Sequence, residues 1–164
     1  LVGTGRADHL DGKGGDDSIE GLGGADRLLI GGLGDDTVRG GAGGDTIVGY
    51  GFTGEAGLDD GDTGADDLSG NGGEDYLQGG LGPDTLSGGE GGDFISDGLG
   101  DHGSLEGSVD TIDGGRGDDR IFSMTYEPAR DVIGCGPGED LVHADRGDEV
   151  ADDCERVRYR MSHH

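Results

Sequence analysis

GNGGEDYLQ (Gly70–Gln78), GGLGPDTLS (Gly79–Ser87) and GGEGGDFIS (Gly88–Ser96) follow one another without a gap; each places Gly at its first and fourth positions, Asp at its sixth and an aliphatic residue at its eighth. A fixed short period of this kind marks a solenoid, in which each repeat buries its apolar residue only by stacking on its neighbours. The pattern extends in both directions. Upstream it reads GKGGDDSIE (Gly12–Glu20), GLGGADRLL (Gly21–Leu29), GGLGDDTVR (Gly31–Arg39), GGAGGDTIV (Gly40–Val48) and GDTGADDLS (Gly61–Ser69), and downstream it returns as GGRGDDRIF (Gly114–Phe122).

The residue types divide each nonad into a turn and a strand. Closely spaced glycines followed by Asp suit a turn with positive φ. The residues after the Asp suit a short strand with one inward aliphatic, which assigns the core to Leu10, Ile19, Leu28, Val38, Ile47, Leu68, Leu77, Leu86, Ile95, Ile112 and Ile121. Two nonads then make one coil, and stacked coils make two parallel sheets facing across a thin core. The expected fold is all-β: a right-handed parallel β-roll, or β-helix solenoid, of roughly seven or eight coils.

One aliphatic residue per nonad does not fold such a chain unaided. Leu, Ile, Val and Phe account for 32 of 164 residues, and Asp plus Glu number 37 against 11 Lys plus Arg, a formal charge of -26. That pairing describes a disordered chain unless something neutralises the acid. A carboxylate at every sixth position, beside the carbonyls of a Gly turn, offers hard oxygen ligands. Stacking brings each turn beside the next but one, so two turns together reach the six or more oxygens that calcium takes; magnesium dehydrates reluctantly and zinc prefers nitrogen and sulfur. Calcium is the expected cofactor. Roughly eight ions would cancel about 16 of the 26 excess negative charges, which makes metal binding and folding one event.

The same charge excludes other partners. It repels nucleic-acid phosphates and anionic headgroups, and no apolar run approaches the roughly 18 residues of a membrane span. The sequence contains no HExxH, no nucleophile elbow and no EF-hand loop, and His9, His102 and His143 are dispersed, so the reading is non-enzymatic.

The nonads resemble the RTX (repeats-in-toxin, or hemolysin-type) calcium-binding repeat, GGxGxDxUx with U a large aliphatic. The resemblance covers most of positions 3 to 122. In that family ions sit between successive turns on each edge of the β-roll, held by the Asp of each repeat and by turn carbonyls. Carried over residue by residue, the implied ligands are Asp8, Asp17, Asp26, Asp36, Asp45, Asp66, Asp75, Asp84, Asp93, Asp110 and Asp119. The family's repeats support secreted bacterial toxins, proteases, lipases and adhesins, which implies an accessory role outside the cell.

Two irregular stretches, near 49–60 and 97–109, interrupt the β-roll region 1–122. In the first, Leu58 is read as the core residue of a degenerate turn with Ala56 in the Asp position; in the second, Leu105 and Gly103 play those parts. At each stretch one edge is therefore expected to lose a ligand. Asp97, Asp101 and His102 read as a surface insertion, with a separate metal or proton-transfer cluster as the alternative.

Residues 123–164 are read as capping coils and a tail. Ile133, Val142, Val150 and Val157 recur every seven to nine residues, and Asp131, Asp140 and Asp148 precede the first three by two, which makes them further candidate ligands. The segment resembles a terminal module, built around CGPG and DCE, that follows RTX-type repeats in secreted calcium-binding proteins of high-GC bacteria. Its cysteines, Cys135 and Cys154, favour a disulfide over a reactive or metal-binding thiol pair and imply an oxidising compartment. Seven of the 11 basic residues fall from Arg116 onward, ending in RVRYR (Arg156–Arg160). They read as charge protecting an edge strand. The alternative is a basic end docking on the acidic start of another copy, so that the chain builds a calcium-dependent extracellular filament or surface layer head to tail.

Overall fold

The computed structural model describes residues 1–50, 63–98, 108–123 and 129–160. Those residues form strands and turns and no helix. One sheet holds β1 (His9–Asp11), β3 (Leu28–Gly32), β5 (Thr46–Tyr50), β7 (Tyr76–Gln78), β9 (Phe94–Ser96), β11 (Arg120–Ser123), β13 (Leu141–Ala144) and β15 (Arg156–Tyr159). The other holds β2 (Ser18–Gly23), β4 (Thr37–Ala42), β6 (Asp67–Gly72), β8 (Thr85–Glu90), β10 (Thr111–Arg116), β12 (Val132–Gly134) and β14 (Glu149–Val150). The chain alternates between the two sheets, and every pairing is parallel. This is the parallel β-roll that the period of nine implies.

Successive side chains in a strand point to opposite faces, so each strand sends one residue inward. Ile19, Val38, Leu68, Leu86, Ile112 and Ile133 form the inner column of the seven-stranded sheet; Leu29, Ile47, Leu77, Ile95, Ile121 and Val142 form that of the eight-stranded sheet. All are at most 1% exposed, whereas Leu10, Val150 and Val157 at the ends are partly buried. One expected core residue is corrected. Leu29 rather than Leu28 is the inward residue of β3, because Leu10 pairs with Leu29 and Leu29 with Ile47. Arg27 is an extra residue after Asp26, and the one-residue slip turns Leu28 outward. There Leu28 packs on a second cluster of Ile30, Val48 and Tyr50.

The outer faces differ. On the eight-stranded sheet Tyr76, Phe94, Phe122 and His143 stack in a row with ring centroids 5.1, 5.0 and 4.7 Å apart. The seven-stranded sheet carries polar residues such as Ser18, Glu20, Thr37 and Arg39 outward. Among the described residues β15, with Arg156 and Arg158, lies at the end of the eight-stranded sheet. β12 to β15 stack on the preceding strands in the same two sheets, and Cys135 and Cys154 form a disulfide with Cα atoms 5.2 Å apart.

Candidate metal centres

The turns of the roll form two edges, and each edge carries one column of carboxylates. Along the edge that leads into the eight-stranded sheet, the backbone N–H of each Asp donates to Oδ1 of the Asp one coil further on: Asp8 to Asp26, Asp26 to Asp45 and Asp45 to Asp75 at 2.8, 2.8 and 2.7 Å. The column continues from Asp75 to Asp93, Asp93 to Asp119 and Asp119 to Asp140 at 2.8, 2.7 and 2.8 Å. The opposite edge repeats the arrangement through Asp17, Asp36, Asp66, Asp84, Asp110, Asp131 and Asp148, at 2.7–3.3 Å. Every Asp singled out by the repeat therefore stands in one of two continuous ladders. Those in the middle are at most 3% exposed, and Asp8, Asp17 and Asp148 at the ends are half-buried.

The first glycine of each nonad explains where the other carboxylate oxygen goes. A Cβ built on Gly31 would lie 2.5 Å from Oδ2 of Asp36 and 2.6 Å from the carbonyl oxygen of Gly49 on the next coil; on Gly114 it would lie 2.6 Å from Oδ2 of Asp119 and 2.7 Å from the carbonyl oxygen of Cys135. The position is glycine because a carboxylate oxygen and a carbonyl oxygen already converge on that space. Two oxygens facing each other repel unless a cation or a donor lies between them. The fourth position is set instead by the backbone, with φ of +125° at Gly43 and +135° at Gly91, a conformation L side chains rarely adopt.

The arrangement is costly without metal. Oδ2 of Asp26, Asp45, Asp75, Asp93, Asp119 and Asp140 is buried with no hydrogen-bond partner, and a buried ionised carboxylate left in that state loses several kcal/mol of hydration. Burial accordingly pushes Asp75 up to about 7, opposed by the N–H of Asp45 and reinforced by the charges of Asp93 and Asp45. Burial likewise raises Asp119 and Asp148 to about 6 and raises Asp45, Asp93 and Asp140. The donor set is all oxygen and rich in carboxylate, which fits calcium.

Both irregular stretches differ from expectation. Residues 56, 58, 101–103 and 105 lie outside the described residues, but the flanking register shows that neither stretch adds a coil. β4 pairs directly with β6 and β5 with β7, while β8 pairs directly with β10 and β9 with β11. Nor do they interrupt the ladder, since Asp36 reaches Asp66 and Asp84 reaches Asp110. The nonad that ends in β6 starts at Gly49, not Gly61: Oδ2 of Asp66 sits against Gly49, as Oδ2 of Asp36 sits against Gly31. The extra residues enter inside that nonad's turn, after its second position.

Asp97 also departs from the surface insertion expected of it. It is 3% exposed and lies with Asp110 and Asp131 in a group whose carboxylate oxygens are within 4.8 Å of one another. Glu155 is a ladder member that the sequence reading missed, accepting the N–H of Asp140 at 3.0 Å. Its signal was present, since it precedes the inward Val157 by two; only the restriction to Asp concealed it. Beside it, Asp153 accepts the N–H groups of Cys135 and Gly136 at 3.3 and 3.2 Å, which ties the disulfide turn to the ladder.

A family model described as the RTX calcium-binding nonapeptide repeat matches the chain in four copies, over residues 2–29, 28–54, 60–101 and 106–123. Neither the curated proteins nor the solved structures contain a match.

Proposed function

Because the chain belongs to the RTX calcium-binding nonapeptide repeat family, we propose that it is a secreted bacterial module that folds as calcium loads along both edges of the roll. The family makes it a calcium-binding repeat protein, a structural role rather than a catalytic one. The finer reading assigns the ions to the two ladders, Asp8 to Asp140 on one edge and Asp17 to Asp148 on the other. The observation that carries it is the row of buried Oδ2 atoms, Asp26, Asp45, Asp75, Asp93, Asp119 and Asp140, that no donor satisfies. A column of like charges stacked one coil apart is stable only when cations lie along it. Roughly eight ions serve the two edges, each with affinity on the order of 10⁻⁴ to 10⁻³ M, the range of extracellular modules.

Export is supported by the Cys135–Cys154 disulfide, which persists in an oxidising compartment. The chain then stays unfolded where calcium is scarce and folds where it is abundant. A calcium titration of the chelated protein, followed by far-ultraviolet circular dichroism with size measured at each step, tests the reading. The expected result is a coil-to-β transition with compaction to a monomer. A chain already folded in chelator would overturn metal-coupled folding, and growth in size with calcium would point to head-to-tail assembly instead.

A further inference from the structure

The first position of the nonad is a slot for glycine because the ladder carboxylate of the same turn projects onto it. Along the edge that leads into the seven-stranded sheet, that slot holds Gly12, Gly31, Gly49 and Gly79, each against Oδ2 of its own turn's Asp. One coil later it holds Asp97. The identity of the slot is fixed twice: the carbonyl oxygen of Asp97 lies over Gly79 as that of Gly49 lies over Gly31, and Ser96 pairs with Phe122, which puts Ser123 in the same slot of the following coil. A carboxylate has thus been placed where every preceding turn of this edge requires the absence of a side chain.

Its surroundings are those of a binding site rather than of a tolerated substitution. Oδ1 of Asp97 accepts the N–H of Gly98 at 2.6 Å, and Oδ2 is buried with no hydrogen-bond partner. Asp110, the ladder residue of the same turn, and Asp131, the ladder residue of the next, both bring carboxylate oxygens within 4.8 Å. Ser123 has one hydroxyl proton and donates it to Oδ2 of Asp131 at 2.8 Å. Asp97, Asp110, Asp131 and Ser123 are each at most 3% exposed. Burial, then the charges of Asp110 and Asp131, pushes Asp97 up to about 8, opposed by the N–H of Gly98 and by the hydroxyl of Ser123, which lies against both Asp97 and Asp131. No Lys or Arg pairs with Asp97 or Asp131 among the described residues.

We propose that Asp97, with the ladder carboxylates of Asp110 and Asp131 shared with the ordinary sites, holds one further calcium ion on the inner side of this turn. Calcium accepts irregular, carboxylate-rich shells, whereas magnesium demands near-ideal octahedral geometry and dehydrates reluctantly. Ser123 positions Asp131 for that shell. The site lies off the repeat pattern, since Asp97 stands at a glycine position, and it rests on the calcium-binding reading given above.

The test is the number of calcium ions per chain in the folded, calcium-loaded protein, measured by native mass spectrometry for the wild type, Asp97→Gly and Asp97→Asn. Asp97→Gly restores the residue that the preceding turns carry, so the ordinary sites on this edge keep their ligands; Asp97→Asn keeps the size and removes the charge. Both variants are expected to hold one ion fewer than wild type. Retention of the full number by either variant overturns the proposal while leaving the ladder sites untouched. A wild type that holds no calcium overturns the broader reading instead.

Discussion

The two edges of the roll start from the same turn and diverge along the chain. Every connection from the seven-stranded sheet into the eight-stranded sheet is short and described from end to end. Residues 51–62, 99–107 and 124–128 all fall on the opposite edge, between β5 and β6, β9 and β10, and β11 and β12. The carboxylate ladder is nonetheless continuous on both edges. The difference teaches which parts of the nonad are indispensable: the residues that bring the Asp onto its neighbour's N–H and the aliphatic two positions later. Between the second and fourth positions of the turn the chain is free to lengthen. The glycine slot diverges as well. It leaves glycine for Cys135 and a disulfide on the short-turn edge, and for Asp97, Ser123 and Ala144 in successive coils on the other.

If a full turn on either side is what makes a calcium site, a ladder substitution should cost more on the uninterrupted edge. Asp75→Ala, flanked by ordinary turns, is expected to remove two ions, and Asp66→Ala, beside the lengthened turn, only one. At calcium concentrations about a hundredfold above Kd each lost ion is worth roughly 2.7 kcal/mol, so the variants should differ by about that amount in denaturant unfolding at fixed calcium. Equal losses would mean that the lengthened turn supplies ligands as well as a nonad does.

Burial raises Asp45, Asp75, Asp93, Asp119 and Asp140 on the short-turn edge, and Asp97 and Asp148 on the other. Their folded-state values exceed the unfolded value of 3.8, with Asp75 at about 7 and Asp119 at about 6. Between those limits the folded chain binds more protons than the unfolded one, so stability without metal rises as pH falls through 7 and is lost as pH rises. In chelator, lowering the pH from about 7 to about 5 should therefore recover part of the β signal that calcium restores in full, because protons neutralise the same oxygens. Amide exchange should show recovered protection on β5, β7, β9 and β11, which follow or flank the raised carboxylates of the short-turn edge. A β signal that falls over this range would contradict the assignment.

The smallest effect concerns the lengthened turn itself. Excising residues 51–62 joins Tyr50 to Thr63 and leaves GYTGAD, a turn of ordinary length with Gly first and fourth and Asp66 sixth. Loop-closure entropy costs about 0.6 kcal/mol per doubling of length, so the shortened protein should be more stable by about 1 kcal/mol and bind no fewer ions. Loss of an ion would show that this stretch contributes to a site.

Most of the architecture was legible because one period controls everything at once. In the regular nonads the period placed the strands, the two parallel sheets and every assigned core residue except Leu28, and the rule of an acid two before an aliphatic residue placed every ladder Asp. Where that reading failed, it failed at local insertions. The single extra residue after Asp26 moved the core position to Leu29, which neither composition nor period distinguishes from Leu28. The stretch before Asp66 offered a plausible nonad of its own at Gly61, and only the direct pairing of β4 with β6 showed that no coil had been added.

The sequence by itself determined that this chain stacks turns and strands with a period of nine and places a carboxylate in every turn, because glycine, Asp and aliphatic residues at fixed offsets leave few other ways to bury one apolar residue per repeat. Which residues from distant coils meet was decided only by the tertiary structure. Asp110 and Asp131 meet because parallel stacking places equivalent turn positions one above another, and Asp97 joins them because the first position of a turn faces that turn's ladder carboxylate. Cys135 meets Cys154 because the turn that ends in Glu155 stacks on the turn that ends in Asp140. A contact between coils depends on how many residues each turn consumes, and that number is fixed by register across the sheet rather than by any local pattern.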